Sequence, residues 1–331
     1  MTFNETFLRD LQSAGNAGEY YTPRAVTQFM VDMTNPQLGE KVLDPACGTG
    51  GFLTCALEHL MKQAKTVEDR QLVQSSILGI EKKPLPHILS VTNLILHDID
   101  IPKIRRDNSL SRPLRDYGIK DKVDVILTNP PFGGIEEDGI QANFPASFRT
   151  KETADLFMVL ILTLLKDGGR AAVVLPDGFL FGEGVKTRIK EKLLSECNLH
   201  TIVRLPNGVF APYTGIRTNL LFFTKGEPTK EIWYFEHPYP EGQKSYSKTK
   251  PIRIEEFDLE KQWWENRVET EYAWKVTVEE IRTSNYNLDV KNPNKSAEDV
   301  ELDVSEILKR IQQGNRKIEQ LTGELIKILG Y

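Results

Sequence analysis

"KVLDPACGTGGFLTCALEHLMK", residues 41–62, decides the fold. It opens on a short apolar run, Val42-Leu43, that stops at Asp44-Pro45. Proline has no N–H to give to a ladder, so a buried strand ends there. The stretch closes on Phe52, Leu53, Ala56, Leu57 and Leu60, spaced along one face of a helix. Between them, Gly48, Gly50 and Gly51 permit a tight turn and close backbone approach, and the helix N-terminus favours anionic groups. Strand, glycine loop and helix in that order begin an α/β unit.

The alternation continues outward. "SILGIE" (76–81) is a second strand ending on an acid, and a helix follows Pro86 through Ile88, Leu89 and Asn93. Asp107, in "RRDNSL", closes a third strand, and "VDVILTN" (123–129) is a fourth. "ADLFMVLILTLLKDGG" (154–169) is an apolar helix with Gly168 as its stop, followed by the strand "RAAVVLP" (170–176). "GVKTRIKEKLLSE" (184–196) is an amphipathic helix, and "HTIVRLP" (200–206) and "TNLLFFTK" (218–225) are the last strands. Upstream, Thr22-Pro23 caps and opens a helix that buries Val26, Phe29, Met30 and Met33. Strands alternating with helices imply an α/β fold, a doubly wound and mostly parallel sheet covered on both faces.

The 331 residues suffice for one large α/β domain with an appendage. Net charge is −5 and the pI is near 5.7, which excludes a chain that holds nucleic acid by bulk electrostatics alone. Cys47, Cys55 and Cys197 have no metal-ligand spacing, and an odd count gives no disulfide framework, which fits a reducing, cytoplasmic setting. No metal site is expected. No apolar run reaches the length of a membrane span.

Four features fall at successive strand ends. The loop after Asp44 lacks the third glycine of a dinucleotide fingerprint, with Leu53 in its place, and is no P-loop. A carboxylate at Asp44 beside loop N–H groups suits an ammonium and a carboxylate together, as in an amino-acid end. A generic glycine turn is the alternative. Glu81 can accept from ribose hydroxyls or be a solvated acid; Asp107 can take an adenine amino group or be a turn residue. Asn129-Pro130-Pro131-Phe132 is either a stiff exit from the sheet or a rigid clamp for a planar group. The carboxyl edge of an open α/β sheet is where ligands bind.

Taken together, "GEYYTP" (18–23), "DPACGTGGF" (44–52), "NPPF" (129–132), "LPDGFLF" (175–181), "LPNGVFAPYTGIRTNLLFF" (205–223) and "NYNLDVKNPN" (285–294) resemble the modification subunit of type I restriction–modification systems. The resemblance implies an S-adenosyl-L-methionine-dependent N6-adenine DNA methyltransferase. It implies a seven-stranded sheet with an antiparallel last strand. It implies that Asn129, Pro130, Pro131 and Phe132 hold and stack the target adenine, and that Phe210 and Tyr213 contact its other face, with hairpin packing the alternative for these two. It assigns Tyr20, Tyr21, Thr22, Asp44, Ala46, Gly48, Gly50, Gly51, Glu81, Asp107 and Asn108 to the cofactor. Its implied partners are DNA, a specificity subunit, a second modification subunit and a restriction subunit, with no membrane. The same clamp also serves glutamine-amide and RNA methyltransferases, and a catalytically silent subunit is a third reading.

The expected layout is residues 1–17 as remnant of or link to an N-terminal helical region, and 18–226 as the methyltransferase domain. Residues 227–299 are expected as an irregular extension. Residues 300–331 are an amphipathic helix with Val304, Ile307, Ile311, Ile318, Leu321, Leu325 and Ile328 in a/d register, interrupted at Gly314. The helix either lies on its own domain or docks onto a partner helix, and so narrow a seam favours docking. The loop 133–153 is long enough for a lid.

Overall fold

A computed structural model describes residues 21–211, 214–247 and 249–294, together with Gln312, Asn315, Ile318, Leu321 and Thr322. Residues up to Lys291 form one compact unit; Asn292–Tyr331 form a second.

In the first unit a helix, α1 (Arg24–Thr34), precedes β1 (Val42–Asp44), α2 (Gly51–Met61), α3 (Val67–Ser76), β2 (Ile77–Glu81), α4 (Pro84–Ile95) and β3 (Lys103–Arg106). Then come β4 (Val123–Thr128), α5 (Thr153–Leu164), β5 (Leu165–Pro176), α6 (Asp177–Phe181), α7 (Val185–Glu196), β6 (Cys197–Arg204) and β7 (Thr218–Lys225). The chain continues through β8 (Glu231–Glu236), α8 (Asp258–Glu265), β9 (Ala273–Thr277) and α9 (Val278–Thr283).

The strands form one sheet in the order β3-β2-β1-β4-β5-β7-β6-β8-β9. β7 runs antiparallel to both β5 and β6, and β9 antiparallel to β8; the other pairings are parallel. The chain winds from β1 to β3 on one side, then crosses to β4 and β5. The switch point is therefore between β1 and β4. Alternate residues enter opposite cores, as the two-residue strand period requires. Val125 and Leu127 face α1 and α2, while Ile126, Ala171 and Val173 face the cluster containing α5 and α7.

The structure departs from the sequence expectations at three points. Among the described residues the sheet has nine strands, not seven, and the described part of the expected irregular extension, 227–299, carries regular structure, because β8 pairs with β6 and β9 closes the edge. β7, the last of the seven expected strands, is antiparallel as expected and lies between β5 and β6. The apolar helix stops at Leu164 and the chain turns directly into β5 at Leu165, so Gly168 lies within a strand. A run that is apolar on every side cannot by itself separate buried helix from buried strand. Finally, Thr22 does not cap α1; the N-cap is Pro23, with no side-chain cap bond.

The segment carrying "NYNLDV" is a clasp. Leu288 is fully buried and its N–H donates to Leu180 O at 3.0 Å, while Tyr234 Oη donates to Leu288 O at 3.1 Å. Asp289 pairs with Arg204 at the end of β6. This closes the sheet beyond α6.

Candidate active site

β1 and β4 are neighbours, so their carboxyl ends lie side by side. Asp44, the last residue of β1, is 1% exposed. Its Oδ1 accepts from Thr128 Oγ1 at 2.7 Å and from the Ala46 N–H at 3.0 Å. Burial outweighs these bonds and, with a smaller push from Glu81, raises the Asp44 carboxyl to about 7.

The glycine loop is braced from β2. Glu81 Oε2 accepts from the Gly48 N–H at 2.9 Å, and Oε1 accepts from the Lys83 N–H at 2.7 Å. The Cys47 N–H donates to Ile80 O at 3.0 Å, locking the loop to the same strand. Gly50 has φ +85°, and a Cβ there would meet Ser90 Oγ at 2.9 Å on α4. That glycine is required by the left-handed turn and by the packing of α4. The Gly48 N–H is directed at Glu81, so the loop does not offer this donor to a ligand carboxylate as the sequence reading expected.

Asn129 follows β4. Its Nδ2 donates to Thr22 Oγ1 at 2.9 Å. Its Oδ1 is buried and has no hydrogen-bond partner among the described residues. Pro130 is buried, Pro131 exposed, and Phe132 is 8% exposed. A cavity of about 40 Å³ is lined by Tyr21, Thr22, Asp44, Gly48, Gly51 and Asn129, with Ala46 also in its wall. So a segment preceding α1, the end of β1, the glycine loop and the clamp motif meet at one point. A larger cavity, about 240 Å³, opens toward the beginnings of β1, β3 and β4, at Lys41, Lys103 and Lys122. None of the expected site residues lines it, so size is a poor guide; the polar convergence at the switch point is the better one.

Beside β2, Asp107 and Asn108 follow β3. The Asp107 N–H donates to Glu81 O at 3.0 Å, and Asp107 Oδ2 lies 3.3 Å from Arg105 Nε. Asn108 Oδ1 accepts from the Leu110 N–H at 3.0 Å, an Asx turn, while its Nδ2 donates to Glu136 Oε2 at 3.1 Å. Glu136 was missed by the sequence reading. It lies in the long loop after Phe132, its side chain is 11% exposed, and it also pairs with Lys82 at 3.4 Å. The loop is thereby fastened to the ends of β2 and β3. Its only sequence signal was the acidic run Glu136-Glu137-Asp138 straight after the clamp.

Phe210 does not present a ring at this edge. It is 2% exposed and packs in the core shared by α1 and α2. Tyr20 and Tyr213 lie outside the described residues. Among the described residues, no three His, Cys, Asp or Glu side chains cluster as a metal site, and no helix is long and apolar enough to cross a membrane.

An acid at the end of β1, an acid at the end of β2 and Asn-Pro-Pro-Phe after β4 are thus gathered on one edge. The sequence profile of the N-6 DNA Methylase family matches residues 2–301. The chain belongs to this family. Among N-6 DNA methylases, the type I restriction enzyme EcoEI methylase subunit of Escherichia coli is 59% identical over 335 residues, covering 98% of this chain and 68% of that one. The EcoKI methylase subunit of Escherichia coli strain K12 is 32% identical, over 83% of this chain and 56% of that one. The crystal structure of a modification subunit of a putative type I restriction enzyme from Vibrio vulnificus YJ016 matches with a TM-score of 0.84 at 55% identity, covering 90% of this chain and 64% of that one. The chain spans between 56% and 68% of the length of these three N-6 DNA methylase relatives.

Proposed function

We propose that this chain is the catalytic modification subunit of a type I restriction–modification complex. It transfers a methyl group from S-adenosyl-L-methionine to N6 of an adenine extruded from the duplex. The observation that carries this reading is Asn129 Oδ1, a buried acceptor without a partner among the described residues, at the β1/β4 switch point. Most buried acceptors are satisfied; among the open ones, Asn129 Oδ1 belongs to a residue that lines the switch-point cavity, where an incoming donor can reach it. The residues suit the cofactor. Asp44 offers a carboxylate to an ammonium, and Glu81 carries a carboxylate suited to ribose hydroxyls. When bound, the cofactor supplies an electrophilic methyl on sulfonium.

The chain's own residues handle the amine. The lone pair of an aromatic amine is delocalised into the ring. Asn129 Oδ1 and the Pro130 carbonyl, accepting its two N–H bonds, favour a pyramidal nitrogen with the lone pair available. The two prolines hold both acceptors still, which is preorganisation for the transition state. Phe132 bounds the ring's face. No side chain needs to remove a proton before transfer. A duplex adenine must leave the stack to arrive here, at a cost of a few kcal/mol.

Acidic net charge leaves DNA binding to a complex. The partners we assign are a specificity subunit, a second modification subunit and a restriction subunit, working in the cytoplasm. The test is the destination of a radiolabelled methyl group when the chain is mixed with its specificity subunit, cofactor and DNA. Label is expected in DNA. Label in protein glutamine or in RNA instead overturns the proposal.

A further inference from the structure

We propose that Thr22 is a positioning residue that anchors the Asn129 amide where it faces the substrate amine. This rests on the reading of Asn129 as the amine acceptor. An asparagine amide is two-ended: Oδ1 only accepts, and Nδ2 only donates. Only the oxygen end can take an amine N–H. The other rotation would set donors against donors.

A threonine hydroxyl can accept from Nδ2 or donate to Oδ1, so it anchors the amide, and the surroundings of the other end select the rotation. Asn129 Nδ2 donates to Thr22 Oγ1 at 2.9 Å, and Oδ1 is left buried and open. Turning the amide over would bury an NH2 group with no acceptor in place of one open carbonyl. The amine then completes the observed orientation, and repels the other. Thr22 is a stiff anchor. It precedes Pro23, which disfavours helical backbone at Thr22, and its β-branch restricts χ1. Pro23 itself has φ −54° and leads into α1. That helix is held at several points. Phe29 stacks on Phe257 with centroids 4.3 Å apart, Arg24 pairs with Glu58 at 2.6 Å, and Lys261 pairs with Asp32 at 2.8 Å. A hydroxyl 107 residues away in sequence is therefore presented to Asn129 by a docked helix. On this account Thr22 contributes to the rate of transfer, not to the grip on the cofactor.

Two measurements on the chain assembled with its specificity subunit test this. Thr22→Val keeps the shape and removes the hydroxyl. We expect cofactor affinity within about twofold of wild type and a single-turnover rate lower by roughly tenfold, the upper scale of one neutral hydrogen bond. Thr22→Ser should restore the rate to within about threefold. The second measurement does not use activity. With asparagine 15N-labelled, the Asn129 side-chain NH2 resonance, assigned by its loss in Asn129→Ala, should shift and exchange faster in Thr22→Val and not in Thr22→Ser. A Thr22→Val protein with wild-type rate, or with an unmoved Asn129 resonance, overturns the proposal. So does a variant that loses cofactor affinity at unchanged rate, which would return Thr22 to the cofactor's edge. If wild type itself fails to methylate DNA, the functional reading fails, and the resonance still decides whether Thr22 holds Asn129.

Discussion

At the scale of single residues, burial leaves Asp44 with a proton that it would lose in the unfolded chain. Its carboxyl moves from the ordinary 3.8 to about 7. Between these values the folded state binds the extra proton. This contribution to stability is therefore full below 3.8 and is lost as pH rises through about 7. Asp44→Asn should flatten that part of the pH–stability curve, measured by thermal unfolding of the ligand-free chain. An ammonium held beside Asp44 would pull its carboxyl down again. Cofactor binding should then release a proton near pH 7 and tighten as pH rises from 6 to 8. Calorimetry in buffers of different ionisation enthalpy reads this directly. A proton count of zero in wild type, or the same count in Asp44→Asn, would remove Asp44 from the cofactor's ammonium.

At the scale of elements, the glycine loop depends on β2 as much as on its own glycines. Glu81 accepts from Gly48, so it braces the loop before any ligand arrives. Glu81→Ala should lower the melting temperature and weaken cofactor binding by roughly 1.5–3 kcal/mol, the scale of a hydrogen bond to a charged group. A lower melting temperature with unchanged affinity would leave Glu81 only the bracing role. What was legible in the sequence follows the same logic. The places of Asp44, Glu81 and Asn129 at strand ends were readable because each stands where an apolar strand runs into proline, directly or after two lysines, and such boundaries are local signals. The missed pieces depend on distant partners. β8 and β9 pair only after an excursion through α8, and neither strand declares its neighbour. The family resemblance made Phe210 a stacking ring, yet Gly208 packs so tightly on the Tyr246 backbone that a Cβ would approach its carbonyl to 2.8 Å. That contact joins the loop to the chain beyond β8, and Phe210 is buried in the core. The bond from Thr22 to Asn129 had no sequence signal, because a hydroxyl before proline reads first as a helix cap.

At the scale of the whole molecule, the first unit contains the site, and the second has only a few described residues. Ile318 and Leu321, both on the expected apolar seam, are helical and 63% and 54% exposed. The remaining seam positions, Val304, Ile307, Ile311, Leu325 and Ile328, lie outside the described residues. Exposed apolar side chains on a helix are what a partner helix would cover. We expect deletion of 300–331, or Asp at Ile318 and Leu325, to leave cofactor binding intact and abolish assembly with the specificity subunit. Light scattering of the mixture reads the mass; a full-size complex from the truncated chain would refute docking by this segment.

The central claim is that Asn129 Oδ1 receives the amine of an adenine during methyl transfer. The most direct measurement is single-turnover transfer in the assembled complex, with the DNA digested to nucleosides and the methylated product identified by mass. Wild type should yield N6-methyldeoxyadenosine. Asn129→Ala should bind cofactor normally and form that product roughly 10²–10³ times more slowly, the scale for losing one preorganised polar contact. A methyl group on another base, or a near-normal rate from Asn129→Ala, would contradict the account.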